Sequence, residues 1–145
     1  MEIVPASLLD INALRLLEKA CFPTDAWPLL DLISVLSFSG VVRLKAVENN
    51  QMVGFIAGDP RPHEGFSWIA TLGVLPEYRK RGIGRALLEA CEKQLPTRIV
   101  HLSVRADNES AINMYKMAGY YKIDRWPKYY NDGQDAVVME KLKLI

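Results

Sequence analysis

Hydrophobic residues recur along this chain at two spacings, one typical of helices and one typical of strands. Helical spacing, with apolar residues three or four apart, is clearest at Ile83, Ala86, Leu87, Ala90, Cys91 and Leu95. An earlier stripe, which predicts a helix ending near Cys21, consists of Leu8, Ile11, Leu14, Leu16 and Leu17. Ser7 and Asp10 are spaced to form a capping box at its start. Further helices are predicted over Leu29–Leu36 and after Asn108, a good N-cap residue.

Strand-like segments lie between these helices. They are predicted at Glu2–Val4, Val41–Glu48, Met52–Asp59, Gly65–Val74, Arg98–Val104, Tyr120–Trp126 and Ala136–Leu142. Between the second and third of them, Asn49 and Asn50 favour a tight hairpin, because Asn tolerates positive φ. Hairpins come first and strands alternate with helices later, so the order predicts a mixed sheet in the α/β (α+β) class.

The strand Gly65–Val74 leads into a basic connection that contains glycine. Arg79–Arg81 precede Gly82, and Gly84 lies in the first turn of the helix that begins at Ile83. The first amides of a helix lack internal partners, and the helix dipole adds partial positive charge there. Together with the close backbone approach that glycine allows, this predicts a phosphate or pyrophosphate site. The spacing fits neither a Walker loop nor the three-glycine dinucleotide fingerprint.

Length and composition narrow the function further. The 145 residues with a net charge of +1 predict one domain, 1–145, with no bulk attraction to nucleic acid or membranes. The opening MEIVPASLLD is too acidic and too short of apolar residues for a signal peptide, so we expect a cytoplasmic protein. Cys21 and Cys91 have no metal-ligand spacing, and we expect no metal.

Two motifs carry a family resemblance. Arg79-x-x-Gly82-x-Gly84 after LGVLPEY resembles the acetyl-CoA pyrophosphate loop of the GNAT superfamily of N-acetyltransferases. The segment VRADNESAINMYKMAGY resembles the second GNAT signature, with matches at Asn108, Ala111, Tyr115, Gly119 and Tyr120. The resemblance covers essentially the whole chain. It implies a GNAT fold, with a mixed sheet of about six to seven strands, about four helices and a V-shaped splay between two central parallel strands.

The resemblance also implies a cofactor, acetyl-CoA, and the residues that bind it. Backbone groups of Leu72, Gly73 and Val74 would hydrogen-bond the pantetheine arm, and a backbone amide near Val74 would polarise the thioester carbonyl. Asn108 would contact the same arm, with Tyr115 near the sulfur. The residues implied to hold the pyrophosphate are Arg79, Lys80, Arg81, Gly82, Ile83, Gly84 and Arg85.

The C-terminal segment KYYNDGQDAVVMEKL is similar to the protein N-terminal acetyltransferases of the ribosomal-protein-alanine type. That similarity implies a peptide N-terminus as acceptor. Its substrate-binding residues would be Phe22, Trp27, Trp68, Tyr129 and Tyr130. A small amine, such as an amino acid or a polyamine, stays open as the alternative acceptor. The protein would act as a monomer or homodimer.

The implied reaction is direct attack of an amine on the thioester, with Tyr115 as the general acid. The general base is where this sequence departs from the family, because Ser103 occupies the position of its Glu or His. Ser103 with a bound water is one candidate, and His101, two residues away on the same strand face, is the other. The missing base also leaves open a sensor that binds acyl-CoA without turnover.

Overall fold

The protein is built around one seven-stranded sheet. The structure, a computed structural model, describes residues 1–144. The strands are β1 Glu2–Pro5, β2 Val42–Glu48, β3 Gln51–Arg61, β4 Phe66–Val74, β5 Ile99–Arg105, β6 Tyr121–Trp126 and β7 Ala136–Leu142. The helices are α1 Ile11–Cys21, α2 Leu29–Ser37, α3 Ile83–Gln94 and α4 Glu109–Met117. Every predicted strand and helix is present with slightly different ends, which confirms the predicted α/β (α+β) class.

The order of strands places β4 and β5 side by side near the middle of the sheet, as β1-β2-β3-β4-β5-β7-β6. All other neighbours pair antiparallel, but β4 and β5 run parallel. Their pairing joins Phe66–Trp68 to Ile99–His101 and goes no further. Beyond that point the two strands separate, which confirms the predicted V-shaped splay.

A β-bulge in β4 lies at the start of this splay. Thr71 pairs with Ala57 and Ile69 pairs with Gly58, so Ala70 is an extra residue on its strand. Side chains normally alternate between the two faces of a sheet, and a bulge interrupts that alternation. As a result Ile69 and Leu72 pack into the same hydrophobic cluster, while Ala70 packs into the other.

Two hydrophobic clusters hold the helices on opposite faces of the sheet. One lies under α1 and α2, and the other lies under α3 and α4. Phe55 and Ile56 are neighbours on β3 but belong to different clusters, as alternation along a strand requires. Asn49 and Asn50 form the predicted hairpin turn with φ of 51° and 61°. No helix within residues 1–144 is long and apolar enough to cross a bilayer.

The predicted apolar stripe that leads into α1 is wrong at two positions, Leu16 and Leu8. Leu16 is 71% exposed, whereas Glu18 is 1% exposed. Successive residues turn by about 100° around a helix, so Leu16 is almost opposite Leu14, while Leu17 and Glu18 flank the face of Leu14. Leu8 is also exposed, because a short 3-10 turn with the predicted Ser7 capping box precedes α1. Glu18 therefore occupies a core position.

Candidate active site

A cleft opens where β4 and β5 stop pairing. Its volume is about 580 Å³, and its walls come from the loop after α1, from β4 and β5, from α4 and from the loop before β7. The predicted site residues that line it are Phe22, Trp27, Leu72, Ser103, Asn108, Tyr115, Tyr129 and Tyr130. Residues of five separate chain segments thus meet in one cavity.

Two residues predicted to be catalytic or substrate-binding do not line this cleft. Trp68 and His101 pair with each other in the part of the sheet where β4 and β5 have not yet separated, and the cleft begins beyond them. The His101 Nε2 lies 2.7 Å from an oxygen of Glu140. The His101 ring also packs on Phe66 and against Trp68, with centroid distances of 4.8 and 5.2 Å. The structure therefore gives His101 a packing and hydrogen-bonding environment outside the cleft.

Tyr115 lies at the inner end of the cleft, on α4. Its side chain is 7% exposed and packs edge-on against Tyr120 at 5.9 Å. Burial, with a smaller contribution from nearby Tyr130, raises the pKa of the Tyr115 hydroxyl. The hydroxyl therefore stays protonated through the neutral range, as a proton donor must.

Tyr130 and Ser103 are neighbours in the same cavity. Burial raises the pKa of Tyr130, and the nearby Ser103 hydroxyl partly lowers it. Tyr129 packs edge-on against Tyr130 at 5.1 Å and is itself more exposed. The two tyrosines thus form one aromatic wall, with Tyr130 on its inner side.

Arg105 is a cleft residue that the sequence did not point to. Its guanidinium donates to Asp25 at 2.7 Å, to Asp132 at 2.6 Å and to Asp107 at 3.1 and 3.2 Å. It also lies over the ring of Tyr130, 5.3 Å from the centroid. Asp25 follows α1 and Asp132 precedes β7, so Arg105 ties together the two loops that cover the cleft.

The acidic side chains that line the cleft, Asp25, Asp107 and Asp132, are all paired with Arg105. The pKa of Asp132 lies below its usual range, chiefly because of the Arg105 hydrogen bond. None of the three is therefore suited to remove a proton from an acceptor. Within residues 1–144, no group of three His, Cys, Asp or Glu side chains could hold a metal ion.

The start of α3 has the features of a phosphate site. Gly82 has a φ of +81° and open space where a Cβ would stand. The first hydrogen bond that closes a turn there runs from the Ala86 amide to the Gly82 carbonyl, at 3.0 Å. The amides before Ala86 consequently remain free to bind an anion. Four basic residues lie within three positions of Gly82 in the chain, namely Arg79, Lys80, Arg81 and Arg85.

The predicted phosphate-loop residues differ in what their side chains do. Arg79 donates to the Val74 carbonyl at 2.9 Å, and Arg85 pairs with Glu89 at the same distance. Ile83 is buried in the core, so only its backbone amide can face a ligand. Four cations and a row of free amides nevertheless fit the pyrophosphate of coenzyme A.

The C-terminal half of β4 offers its backbone to the cleft. Beyond Trp68, the edge of β4 that faces β5 has no strand partner, so its polar groups are open to an extended ligand. Leu72 lines the cleft at this edge. Gly73 instead allows α1 to approach, because an added Cβ would lie 3.1 Å from both Leu17 and Cys21.

Comparisons with known proteins agree with this geometry. The model of the acetyltransferase (GNAT) family matches residues 11–120. An N-alpha-acetyltransferase from Sulfurisphaera tokodaii is 30% identical, over 92% of this chain and 88% of its own. Ard1 from Thermoplasma volcanium superposes with a TM-score of 0.85 at 28% identity, covering 99% of this chain and 98% of its own.

The ribosomal-protein-S18-alanine N-acetyltransferase of Escherichia coli shares the fold, with a TM-score of 0.86 at 24% identity. That superposition covers 99% of this chain and 95% of the other. The fold and the cleft define an acyl-CoA-dependent acyltransferase. The chain belongs to the GNAT acetyltransferase family and uses acetyl-CoA.

Proposed function

We propose that this enzyme transfers an acetyl group from acetyl-CoA to the N-terminal α-amine of a peptide or protein. The observation that carries the proposal is the covered cleft. The loop around Trp27 and the loop around Tyr130 are held together over it by Arg105, and the Asn131 side chain also donates to the Thr24 carbonyl at 3.2 Å. A cleft covered by two loops admits the terminus of a peptide more easily than an internal segment of it.

The charges of the cleft support a cationic acceptor. Three carboxylates and one guanidinium line it, so these groups together are negative. An α-ammonium is attracted to such a site. Its ordinary pKa of about 8, against about 10.4 for lysine, means that an α-amine loses its proton more readily at neutral pH.

Acetyl-CoA is the donor substrate and supplies the acetyl group as a thioester. Free amides at the start of α3, with Arg79 and its basic neighbours, would hold the pyrophosphate. The open edge of β4 around Leu72 would pair with the pantetheine arm. Bringing donor and acceptor together in the covered cleft accounts for much of the rate enhancement.

Tyr115 donates a proton to the leaving sulfur in this mechanism. Its hydroxyl is protonated at neutral pH, and it lines the cleft. Ser103 cannot itself take a proton near neutrality and serves to bind the acceptor or a water. His101 is not assigned as the base, because it lies outside the cleft and pairs with Glu140.

The proposal is tested by thiol release from acetyl-CoA with a panel of acceptors. The panel contains peptides that begin with Ala, Ser, Met or Gly, the same peptides with blocked N-termini, free amino acids and polyamines. We expect turnover with free peptide N-termini and none with blocked ones. Turnover with small amines alone would overturn the proposal.

A further inference from the structure

A buried carboxylate lies directly behind the cleft. Glu18 on α1 is 1% exposed, and no cation pairs with it among residues 1–144. One of its oxygens accepts the Trp27 amide at 3.2 Å, and the other accepts the Thr71 hydroxyl at 3.2 Å. Buried carboxylates are usually paired with a cation, so this one calls for a functional explanation.

Thr71 connects this carboxylate to the cavity. It is 9% exposed and lines the cleft, whereas Glu18 does not. The β-bulge at Ala70 accounts for its orientation, because the interrupted alternation turns Thr71 towards α1. A hydroxyl can accept one proton while it donates another, so Thr71 is placed between the cleft and Glu18.

The other buried carboxylate within residues 1–144, Glu92, has the environment expected of a structural residue. Glu92 on α3 is 6% exposed, pairs with Lys141 at 2.8 Å and accepts the Tyr120 hydroxyl at 2.6 Å. It lies outside the cleft. Glu18 has no such cation and is bonded to a residue of the cleft wall.

We infer that Glu18 and Thr71 form a proton relay that deprotonates the acceptor amine. The inference rests on the proposed function and supplies the base that the family position at Ser103 lacks. Thr71 touches the acceptor, and Glu18 acts through Thr71 as a positioning residue and final proton acceptor. The relay needs no metal ion and no group from outside the chain.

The protons balance as follows. Thr71 Oγ1 takes one N–H proton of the ammonium while its own hydroxyl proton moves to Glu18 Oε2, which leaves a neutral amine. The nitrogen then bonds the acetyl carbon as the C–S bond breaks, and the sulfur takes the Tyr115 proton. The nitrogen loses a second proton, which restores the Tyr115 hydroxyl. Glu18 releases its proton to water after the product leaves.

The electrical surroundings of Glu18 suit this role. Burial raises its pKa above the ordinary value of 4.5, against smaller lowering by the Trp27 amide and Thr71. The titratable group that faces it on its own helix is the Cys21 thiol. Burial raises the pKa of that thiol, and Arg79 partly lowers it. The groups that face it from the loop and from β4 are the neutral Trp27 amide and Thr71. Its proton affinity is therefore shifted towards that of an amine.

The test is the pH dependence of kcat with saturating acetyl-CoA and a peptide acceptor. Glu18→Gln keeps the size of the side chain but cannot accept the proton. We expect kcat to fall at least about tenfold at pH 7. The loss should shrink above about pH 8, where the α-amine is already free. The matched control, Glu92→Gln, should keep the wild-type pH profile.

Variants of Thr71 keep the test decisive if Glu18→Gln folds poorly. Thr71→Val removes the hydroxyl at nearly constant volume and should lose as much kcat as Glu18→Gln, whereas Thr71→Ser should restore most of it. The double variant should be no slower than either single one, because both changes break the same path.

Three results would overturn the relay. They are an unchanged pH profile in Glu18→Gln, full activity in Thr71→Val, and losses that multiply in the double variant. If the wild type acetylates only small amines, the same profiles are measured with such an amine. The proposed peptide acceptor would then be wrong, and the pH profiles with the small amine would still test the relay.

Discussion

At the scale of single residues, Arg105 organises the two loops that cover the cleft. Its planar guanidinium presents donors in several directions and reaches three carboxylates at once. Two of them, Asp25 and Asp132, belong to the covering loops. The position of Tyr130 over the cleft thus depends on one side chain from β5.

Replacing Arg105 with Ala should weaken acceptor binding. Charge-assisted hydrogen bonds to the two loops are lost, and we expect the KM for a peptide to rise about tenfold or more. Arg105→Lys should rescue little, because an ammonium cannot present the same fork of donors. Steady-state kinetics with a peptide series would measure the KM of both variants.

Arg125→Ala is the matched control for Arg105. Arg125 also pairs with an aspartate near the same loop, Asp135, at 2.7 Å, but it does not line the cleft. Its loss should leave the peptide KM near the wild-type value. An equal rise of KM in the two variants would contradict the role given to Arg105.

Tyr115→Phe should lower kcat by about 10²-fold, because the leaving sulfur loses its proton donor. Affinity for coenzyme A should change little, since the ring and its packing remain. Single-turnover rates and CoA titrations would separate these effects. Tyr120→Phe removes the neighbouring hydroxyl, which binds Glu92 outside the cleft, and should cost stability but little kcat. Similar kcat losses in both variants would argue against Tyr115 as the acid.

At the scale of elements, the turn from β4 into α3 supplies the proposed donor site. Its basic residues and free helix amides follow each other in the sequence, so local reasoning was enough to predict them. The hairpin at Asn49 and the Asn108 cap of α4 were predictable for the same reason. The bulge at Ala70 was not, because it shows only in the pairing of β4 with β3.

Gly82→Ala should affect stability and donor binding together. A φ of +81° costs a residue with a Cβ about 1–2 kcal/mol, and the methyl group would stand beside the free amides of α3. We therefore expect the Kd for acetyl-CoA to rise about tenfold, the equivalent of 1.4 kcal/mol. Urea unfolding and CoA titration would measure the two effects.

Gly40→Ala provides the control for that variant. Gly40 has a φ of +85° and equally open surroundings, but it lies between α2 and β2, away from the start of α3. It should lose a similar amount of stability and keep its affinity for acetyl-CoA. A shared loss of affinity would show that strain alone explains the Gly82 result.

At the scale of the whole molecule, the site depends on residues that are distant in the sequence. Asp25, Arg105 and Asp132 meet only because the V between β4 and β5 brings their loops together. Glu18 was missed for a related reason. A glutamate beside Lys19 reads as part of a solvated helix face, although its spacing from Leu14 and Leu17 was a signal that could have placed it in the core.

The pH dependence of global stability should reveal the burial of Glu18. Its pKa in the folded state is raised, so the stability it contributes is present below its unfolded pKa and is lost as the pH rises through the folded value. Glu18→Gln should accordingly gain stability relative to the wild type as the pH rises above the ordinary glutamate pKa of 4.5. Urea unfolding at several pH values would measure the difference.

Other carboxylates do not obscure that comparison. The pKa values of Asp132, Asp135 and Glu140 are lowered by their hydrogen bonds, so their stabilisation is lost as the pH falls. This loss is common to both proteins and cancels in the difference. A difference that stays constant with pH would contradict a raised pKa for Glu18.

The choice of the α-amine as acceptor is tested with one peptide that carries two amines. The peptide begins with a free alanine and carries one lysine, and mass spectrometry with fragmentation locates the acetyl group after reaction with acetyl-CoA near pH 7. We expect acetylation at the α-amine alone, with the lysine untouched. Acetylation of the lysine, or no transfer to the peptide while a small amine reacts, would contradict this choice of acceptor.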